Sequence, residues 1–205
     1  GVKSATDLDG ATVCIQTGTT TELNLADFFR TNKISYKPVP IESNEEARKN
    51  YLADRCDTYT TDASALAATR ATFEKPNDHL ILPEIISKEP LGPVVRHGDN
   101  QWEDIVRWTV YALLAGEEYG VTKGNADARS SDKSNPNVSR LLGSEGDLGG
   151  MLGLDKDWAK RAIKARGNYA EIFETNLGMS TPVALARGMN ASYKNGGMQY
   201  NPPFR

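Results

Sequence analysis

The feature that most constrains the fold is the stretch of residues 12–22, which reads Thr-Val-Cys-Ile-Gln-Thr-Gly-Thr-Thr-Thr-Glu. Residues 13–15 are apolar and β-prone, Gly18 interrupts them, and the apolar positions that begin at Leu23 have helical spacing. Glu22, directly after threonines and before an apolar run, is typical of a helix N-terminus. The stretch therefore predicts a buried strand, a tight glycine turn and the start of a helix.

This turn predicts an anion-binding site. The first backbone N–H groups of a helix have no partner inside the helix, and the helix dipole adds positive potential in front of them. Thr19, Thr20 and Thr21 place hydroxyl groups beside those N–H groups, so a carboxylate or a small oxyanion fits there. An ordinary strand-to-helix turn, whose threonines only cap the helix, explains the same stretch.

The first ninety residues predict an α/β fold with a parallel sheet. Strands and helices alternate in this part of the chain: strands at 13–15, at 35–41, from 55 onward and at 80–85, and helices at 21–32, 44–53 and 63–72. Such alternation is typical of βαβ units, which place their strands in one parallel sheet with helices beside it.

A second polar cluster, Thr60-Thr61-Asp62, follows the strand that begins at Arg55. In open α/β sheets ligands bind beyond the carboxyl ends of the strands, so we expect this cluster and the threonine turn to face one pocket. The turn suits a carboxylate and Asp62 suits a cation, and an α-amino acid carries both groups. The alternative role for Asp62 is the N-cap of the helix that begins at Ala63.

The rest of the chain predicts a proline-restrained connection and a mainly helical region. Residues 90–96 read as an extended crossing between lobes, and residues 99–118 predict a long amphipathic helix. Trp102 and Trp108 on that helix fit a core better than a ligand platform. The remaining expectations are a solvated loop or polar turn at 122–137, a flexible connection at 143–153, a helix at 158–176 interrupted or bent near Gly167, a short helix at 181–193 and a loop-like tail at 195–205.

The charged residues, histidines and cysteines limit the kinds of ligand that the chain is expected to bind. A net charge of −3 argues against a broad nucleic-acid-binding face. The two histidines and two cysteines make no convincing metal site, and the sequence predicts neither a metal nor a cofactor. Cys14 and Cys56 fit a disulfide between neighbouring strands, which would imply an oxidising compartment, or a pair of buried thiols.

Taken together, these segments resemble the periplasmic solute-binding proteins of polar-amino-acid ABC transporters, specifically the general L-amino-acid-binding branch. The motifs that carry the resemblance span residues 13–22, 55–62, 91–96 and 197–203. The match extends over essentially the whole chain. The resemblance implies a type II periplasmic-binding-protein fold, in which two α/β lobes joined by crossing strands close on the ligand.

The resemblance also implies a domain organisation. Residues 1–90 correspond to the second lobe, and residues 91–205 to the second crossing strand and the mainly helical C-terminal part of the first lobe. The N-terminal part of that first lobe, which supplies an arginine for the ligand carboxylate in this family, is absent. We therefore expect an expression fragment or a proteolytic product that binds ligand weakly and self-associates through residues 91–205.

The site and the partners follow from the same resemblance. Gly18, Thr19, Thr20 and Thr21 are expected to receive the ligand carboxylate, mainly through the backbone N–H groups of Thr19 and Thr20, and Asp62 to hold the α-amino group. The branch also implies a disulfide between Cys14 and Cys56. The expected partners are an L-amino acid and an ABC transporter permease in the inner membrane, and the expected location is the periplasm.

Two other functions compete with this one. A clamp-fold enzyme, such as a dehydratase acting on a cyclic amino or keto acid, would use Asp62 or Glu22 as its acid or base. A receptor for an oxyanion would use residues 19–21 and would have no role for Asp62.

Overall fold

A computed structural model describes residues 1–88 and 90–205, which divide into two units, Gly1–Leu91 and Gly92–Arg205. The division lies one residue from the boundary expected from the sequence. The assignment of the two units to the lobes of a binding protein stays a prediction.

The first unit is built on a parallel sheet whose strands alternate with helices. In chain order its elements are β1 (Ala11–Gln16), α1 (Thr20–Asn32), β2 (Tyr36–Ile41), α2 (Asn44–Leu52), β3 (Thr58–Tyr59) and α3 (Ala63–Arg70). The strand order is β2-β1-β3, and β1 is parallel to both neighbours. This sheet with its helices confirms the α/β fold class.

The central strand β1 buries side chains on both of its faces. Successive side chains of a strand point to opposite faces, so Val13 and Ile15 pack together with Leu25 and Phe29 of α1. Cys14 points the other way, into a second cluster that contains Ile41, Ala47 of α2 and Cys56. The continuous apolar run at residues 13–15 therefore reflects a strand covered on both faces.

One predicted strand of this unit is wrong, because residues 80–85 form no strand. Pro83 lacks a backbone donor, and both Leu80 and Ile85 are more than half exposed. Glu84 instead holds the segment to the start of the chain, since its carboxylate accepts hydrogen bonds from the Ser4 hydroxyl (2.5 Å) and the Ala5 N–H (2.9 Å).

The second unit is mainly helical. Its helices are α4 (Asn100–Glu118), α5 (Ala126–Ser131), α6 (Pro136–Leu141), α7 (Leu148–Met151), α8 (Trp158–Arg166) and α9 (Tyr169–Asn176). The predicted interruption near Gly167 is confirmed, since Gly167 has φ +92° and separates α8 from α9. One core gathers Ala112 of α4, Leu141 of α6 and Ile163 of α8.

Several local expectations for this unit are wrong. The segment 122–137 contains α5 and the start of α6, and Ala126 is fully buried in the core. The segment 143–153 contains α7, where glycine serves close packing: a Cβ at Gly149 would collide with the backbone of Asp155. Residues 181–193 contain no α-helix and include Ala184 at φ +48°, a conformation that breaks helices.

The tryptophans and the tail of the second unit differ in how far they are buried. Trp158 is buried in the core and Trp108 packs against it, whereas Trp102 is 52% exposed and does not belong to the core. The tail beyond Asn195 has no helix, as expected, but Phe204 near its end is buried in the same core. None of the helices in the described part of the chain is long and apolar enough to cross a membrane.

A buried ion pair lies in the second unit. The Arg187 guanidinium donates to both carboxylate oxygens of Glu117, at 2.7 and 3.0 Å, and both side chains are more than four-fifths buried. The same guanidinium lies over the rings of Tyr169 and Phe173, with 5.3 and 5.7 Å to their centroids. Arg187 therefore joins α4 to α9 through charge and packing.

Candidate functional site

The threonine turn forms as the sequence predicts. Gly18 adopts φ +71°, a left-handed conformation that glycine tolerates best, and Thr19 is the N-cap of α1. The Thr19 hydroxyl accepts from the Glu22 N–H (3.2 Å) and donates to the Gln16 carbonyl (2.8 Å). The Gly18 N–H donates to the Glu22 carboxylate (2.8 Å) and is therefore already bonded.

The next three backbone N–H groups remain available. Among the described residues, the N–H groups of Thr19, Thr20 and Thr21 donate to no acceptor, and the hydroxyls of Thr20 and Thr21 make no hydrogen bond. Thr20 is exposed and Thr21 is half-buried. The turn thus presents a group of donors at the positive end of a thirteen-residue helix, an arrangement that suits an anion.

Asp62 stands at the N-cap position of α3, but its side chain makes no capping hydrogen bond. The residue is exposed, and within residues 1–88 and 90–205 its carboxylate has no hydrogen bond or ion pair. The capping interaction that would explain Asp62 structurally is therefore not formed. Both carboxylate oxygens are available for a cationic group such as an ammonium.

The sheet topology brings the turn and Asp62 to one edge. β1 and β3 are neighbours and parallel, with Val13 opposite Thr58 and Cys14 opposite Tyr59. Thr19 and Asp62 each lie three residues beyond the last residue of their strand, Gln16 and Tyr59 respectively. Neighbouring strands are about 4.8 Å apart. Thr19 and Asp62 therefore follow adjacent strand ends at the carboxyl edge of the sheet.

A disulfide joins the same two segments of the chain. Cys14 and Cys56 are bonded, with 5.6 Å between their Cα atoms, and both residues are buried. The expected disulfide is confirmed, and the alternative of two free thiols is not. Among the described residues no three metal-ligating side chains are grouped to hold an ion.

Sequence reasoning missed one feature, a set of hydrogen bonds between Thr12 and Asp57 that we call the Thr12–Asp57 clasp. The Asp57 carboxylate accepts from the Thr12 hydroxyl (2.6 Å) and the Thr12 N–H (2.7 Å). In return the Asp57 N–H donates to the carbonyl (3.0 Å) and the hydroxyl (2.9 Å) of Thr12. Bonds from the Thr12 hydroxyl and N–H hold the pKa of Asp57 below its usual value.

Comparison with known proteins identifies a consistent set of relatives. The glutamate/glutamine/aspartate/asparagine-binding protein BztA of Rhodobacter capsulatus is 60% identical over 205 residues. The general L-amino acid-binding periplasmic protein AapJ of Rhizobium johnstonii is 55% identical, and the putative amino-acid ABC transporter-binding protein YhdW of Escherichia coli is 50% identical. Each of these matches covers 100% of the chain.

A solved structure agrees with these sequences. The ABC transporter periplasmic binding protein from Brucella ovis, with glutathione bound, matches 100% of the chain at 54% identity and a TM-score of 0.93. The chain spans 64% of that protein and 60–61% of the three relatives named above. No protein-family profile matches the chain.

These findings confirm the resemblance that the motifs carry. The relatives share at least half of their matched residues with this chain, and each is named as a binding protein, three of them explicitly for amino acids or an amino-acid transporter. The chain is thus homologous, over its whole length, to about three fifths of a periplasmic amino-acid-binding protein of an ABC transporter.

Proposed function

We propose that this chain is part of an extracytoplasmic substrate-binding component of an ABC transporter and that it captures L-amino acids for uptake. The observation that carries the proposal is the pairing of free N–H donors at residues 19–21 with an uncapped carboxylate, Asp62, beyond adjacent parallel strands. An α-amino acid presents its carboxylate and its ammonium close together, which matches one donor group and one acceptor group.

In the proposed complex, the N–H groups of Thr19, Thr20 and Thr21 bind the ligand carboxylate. The Asp62 carboxylate binds the ligand ammonium. Gly18 provides the turn conformation, since its own N–H is bonded to Glu22. Charge-assisted hydrogen bonds of this kind are stronger than neutral ones, so both ends of the ligand backbone contribute to affinity and the side chain is left to other contacts.

The names of the relatives suggest which ligands to test. BztA is named for glutamate, glutamine, aspartate and asparagine, AapJ for L-amino acids in general, and the Brucella ovis structure contains glutathione. Glutathione has a free α-amino and α-carboxylate group on its γ-glutamyl end, so the same two contacts would receive it. We therefore propose calorimetric titration of the full-length protein with these four amino acids, a neutral aliphatic amino acid and glutathione.

The deciding variant in that titration is Asp62→Ala. It should abolish measurable binding of every amino acid, because the ligand ammonium would lose its only charged partner among the groups proposed here. Asp78→Ala is the matched control, since Asp78 is an exposed carboxylate in the same unit and its side chain makes no hydrogen bond to any other described residue. Unchanged amino-acid affinity in Asp62→Ala contradicts the proposal, and retained binding of an oxyanion alone favours the oxyanion receptor.

A solute-binding role needs no chemistry, and the ligand should be returned unchanged. The enzyme alternative, a dehydratase acting on a cyclic amino or keto acid, gains no support from the relatives, which are solute-binding proteins. Glu22, its second candidate acid or base, is bonded to the Gly18 N–H. Product analysis after incubation with each ligand distinguishes a receptor from an enzyme.

We further propose a periplasmic location and an inner-membrane permease as the partner that receives the ligand. The names of two relatives support this proposal: AapJ is named as a periplasmic protein, and YhdW as a putative amino-acid ABC transporter-binding protein. Cross-linking of the full-length protein to the permease in ligand-loaded and ligand-free membranes tests this. Capture in neither state contradicts the proposed partner.

Self-association of the second unit is also a proposal. Val94 is 95% exposed and Trp102 is 52% exposed, and a groove of about 220 Å³ between residues 93–95 and α4 is lined by apolar side chains such as Val106 and Val110. Exposed apolar surface of this kind favours association. Sedimentation velocity of this 205-residue chain should show a mass that rises with concentration, and Val94→Lys should reduce the rise. A constant monomer mass contradicts it.

A further inference from the structure

The two strands that carry the candidate site share very little backbone pairing. β3 has two residues, Thr58 and Tyr59, and these are the residues in register with β1. Cross-strand pairs stabilise a sheet one by one, and a typical strand has about five or six residues. The position of β3, and of Asp62 beyond it, therefore depends on other contacts.

Tyr59, at the end of β3, packs against the cluster around Ile41 and the ring of Tyr51, whereas the covalent and polar contacts lie at the start of the strand. Cys56 is bonded to Cys14, and the next residue, Asp57, makes the Thr12–Asp57 clasp, with donor–acceptor distances of 2.6 to 3.0 Å. The disulfide limits how far the two segments can separate, because it joins them covalently. The clasp fixes their register, because it uses backbone groups of both residues as well as side chains.

We propose that Asp57 is a positioning residue for ligand binding: through the Thr12–Asp57 clasp it sets where Asp62 stands relative to the donor groups of residues 19–21. The inference rests on the proposed function. Asp57 lies before β3, whereas the candidate site lies beyond its carboxyl end, so Asp57 acts through the strand and does not contact the ligand. The bonds from the Thr12 hydroxyl and N–H lower the pKa of Asp57 still further below neutral pH, so the carboxylate is ionised there and remains an acceptor.

The same unit contains a matched control for this arrangement. The Asp9 carboxylate accepts hydrogen bonds from the Ser35 N–H (2.7 Å) and hydroxyl (2.9 Å), which we call the Asp9–Ser35 clasp. It lies just before β1 and β2, which pair over six residues from Ala11 opposite Tyr36. Asp9→Ala thus removes the same kind of bonds from a strand pair whose register is fixed by a long ladder.

The experiment measures ligand preference in the full-length protein. L-Glutamate and glutarate share two carboxylates, but only L-glutamate has the ammonium that Asp62 would bind, so the ratio of their Kd values reports the position of Asp62. If another amino acid of the panel binds more tightly, it is compared with its own deaminated acid. Calorimetry gives this ratio for wild type, Asp57→Ala, Asp57→Asn and Asp9→Ala.

Asp57→Ala should lower the preference for the amino acid about tenfold. Asp57→Asn should retain most of the preference, because its amide oxygen still accepts both bonds from Thr12. Asp9→Ala should keep the wild-type ratio. If Asp57→Ala does not fold, Thr12→Val replaces it, since this variant removes only the two hydroxyl bonds of the clasp, and it should also lower the ratio.

The results distinguish the positioning role of Asp57 from the proposed function itself. A wild-type ratio in Asp57→Ala, or in Thr12→Val when it serves as the replacement, overturns the positioning role and leaves the proposed function intact. An equal loss in Asp9→Ala also overturns it, because the effect is then general destabilisation. A wild-type protein that binds no amino acid, or does not prefer it to the deaminated acid, overturns the proposed function and this inference together.

Discussion

The two units of the chain are stabilised in different ways. In Gly1–Leu91, two small buried clusters lie on opposite faces of β1, and a disulfide with two carboxylate clasps fixes the strands. In Gly92–Arg205, one larger core collects side chains from α4, α5, α6, α8 and the tail. Specific contacts between single residues therefore matter more in the first unit, and distributed packing matters more in the second.

This difference bears on function because the candidate ligand groups belong to the first unit. Thr19 and Asp62 follow strands whose mutual position depends on a few hydrogen bonds and one covalent bond. Each of these contacts can be removed by a single substitution or a pair of substitutions. Substitutions of this kind can therefore distinguish how the first unit is stabilised from how the second is.

Removing the disulfide should have the largest effect and should be confined to the first unit. Cys14 and Cys56 are 42 residues apart, and the chain-entropy relation for a loop of this size gives about 4 kcal/mol. In Cys14→Ala/Cys56→Ala, hydrogen exchange of β1 should accelerate. The three tryptophans all lie in the second unit, so the urea midpoint from tryptophan fluorescence should stay the same. A matching fall in that midpoint contradicts separate stabilisation of the units.

Removing Arg187 should destabilise the second unit. Arg187→Met leaves the buried Glu117 carboxylate without its partner, which costs about 3 kcal/mol of unfolding free energy. The tryptophan-fluorescence midpoint in urea should therefore fall. Arg107→Met is the control, because the Arg107–Glu103 pair is exposed and should contribute less than about 1 kcal/mol. Similar losses in the two variants would show that the buried pair has no special role.

Replacing Thr20 by proline should weaken ligand binding without unfolding α1. Thr20 is the first residue of the helix and Thr19 is already extended, so proline fits there, and the variant removes the free N–H together with the Thr20 hydroxyl. Losing one charge-assisted hydrogen bond costs about 2 kcal/mol, or roughly thirtyfold in Kd. Asn44→Pro, at the first position of α2 after an extended Ser43, is the control and should leave Kd unchanged. Equal Kd values in both variants argue against the turn as the carboxylate site.

The smallest expected effect is a loss of stability of the first unit in acid. Hydrogen bonds hold the pKa of Asp57 and of Asp9 below its usual value, so both carboxylates stabilise the fold above about pH 4, the pKa range of an unfolded aspartate. This contribution is lost as pH falls through the lowered folded-state pKa, and the nearby Lys37 acts in the same direction on Asp57. Asp57→Asn should flatten the acid dependence of hydrogen exchange in β1 below pH 4. An unchanged dependence contradicts the role of the clasp.

Local signals made the threonine turn predictable. Gly18, the cap at Thr19 and the apolar positions of α1 all lie within a short stretch, so sequence alone predicts their conformation. The position of Asp62 before α3 was equally accessible. That its carboxylate makes no capping bond could not be predicted, because Asp at this position usually caps.

Long-range contacts account for what sequence reasoning missed. Thr12 and Asp57 are 45 residues apart, and nothing in either segment indicates that they meet. Residues 80–85 have strand composition, but a strand also needs a neighbour with free donors and acceptors, which local composition does not reveal. The helix α5 was missed because its sequence is mostly polar. Ala126 is its one buried residue among those described, so no apolar periodicity indicates a helix there.

The most direct test of the central claim is an NMR titration of the ¹⁵N-labelled full-length protein with the tightest-binding amino acid of the panel. If the donor turn and Asp62 bind opposite ends of one ligand, the backbone amide resonances of Thr19, Thr20, Thr21 and Asp62 should shift together, with one common Kd. Shifts at the turn without a response at Asp62, or two different Kd values for the two segments, would contradict the account.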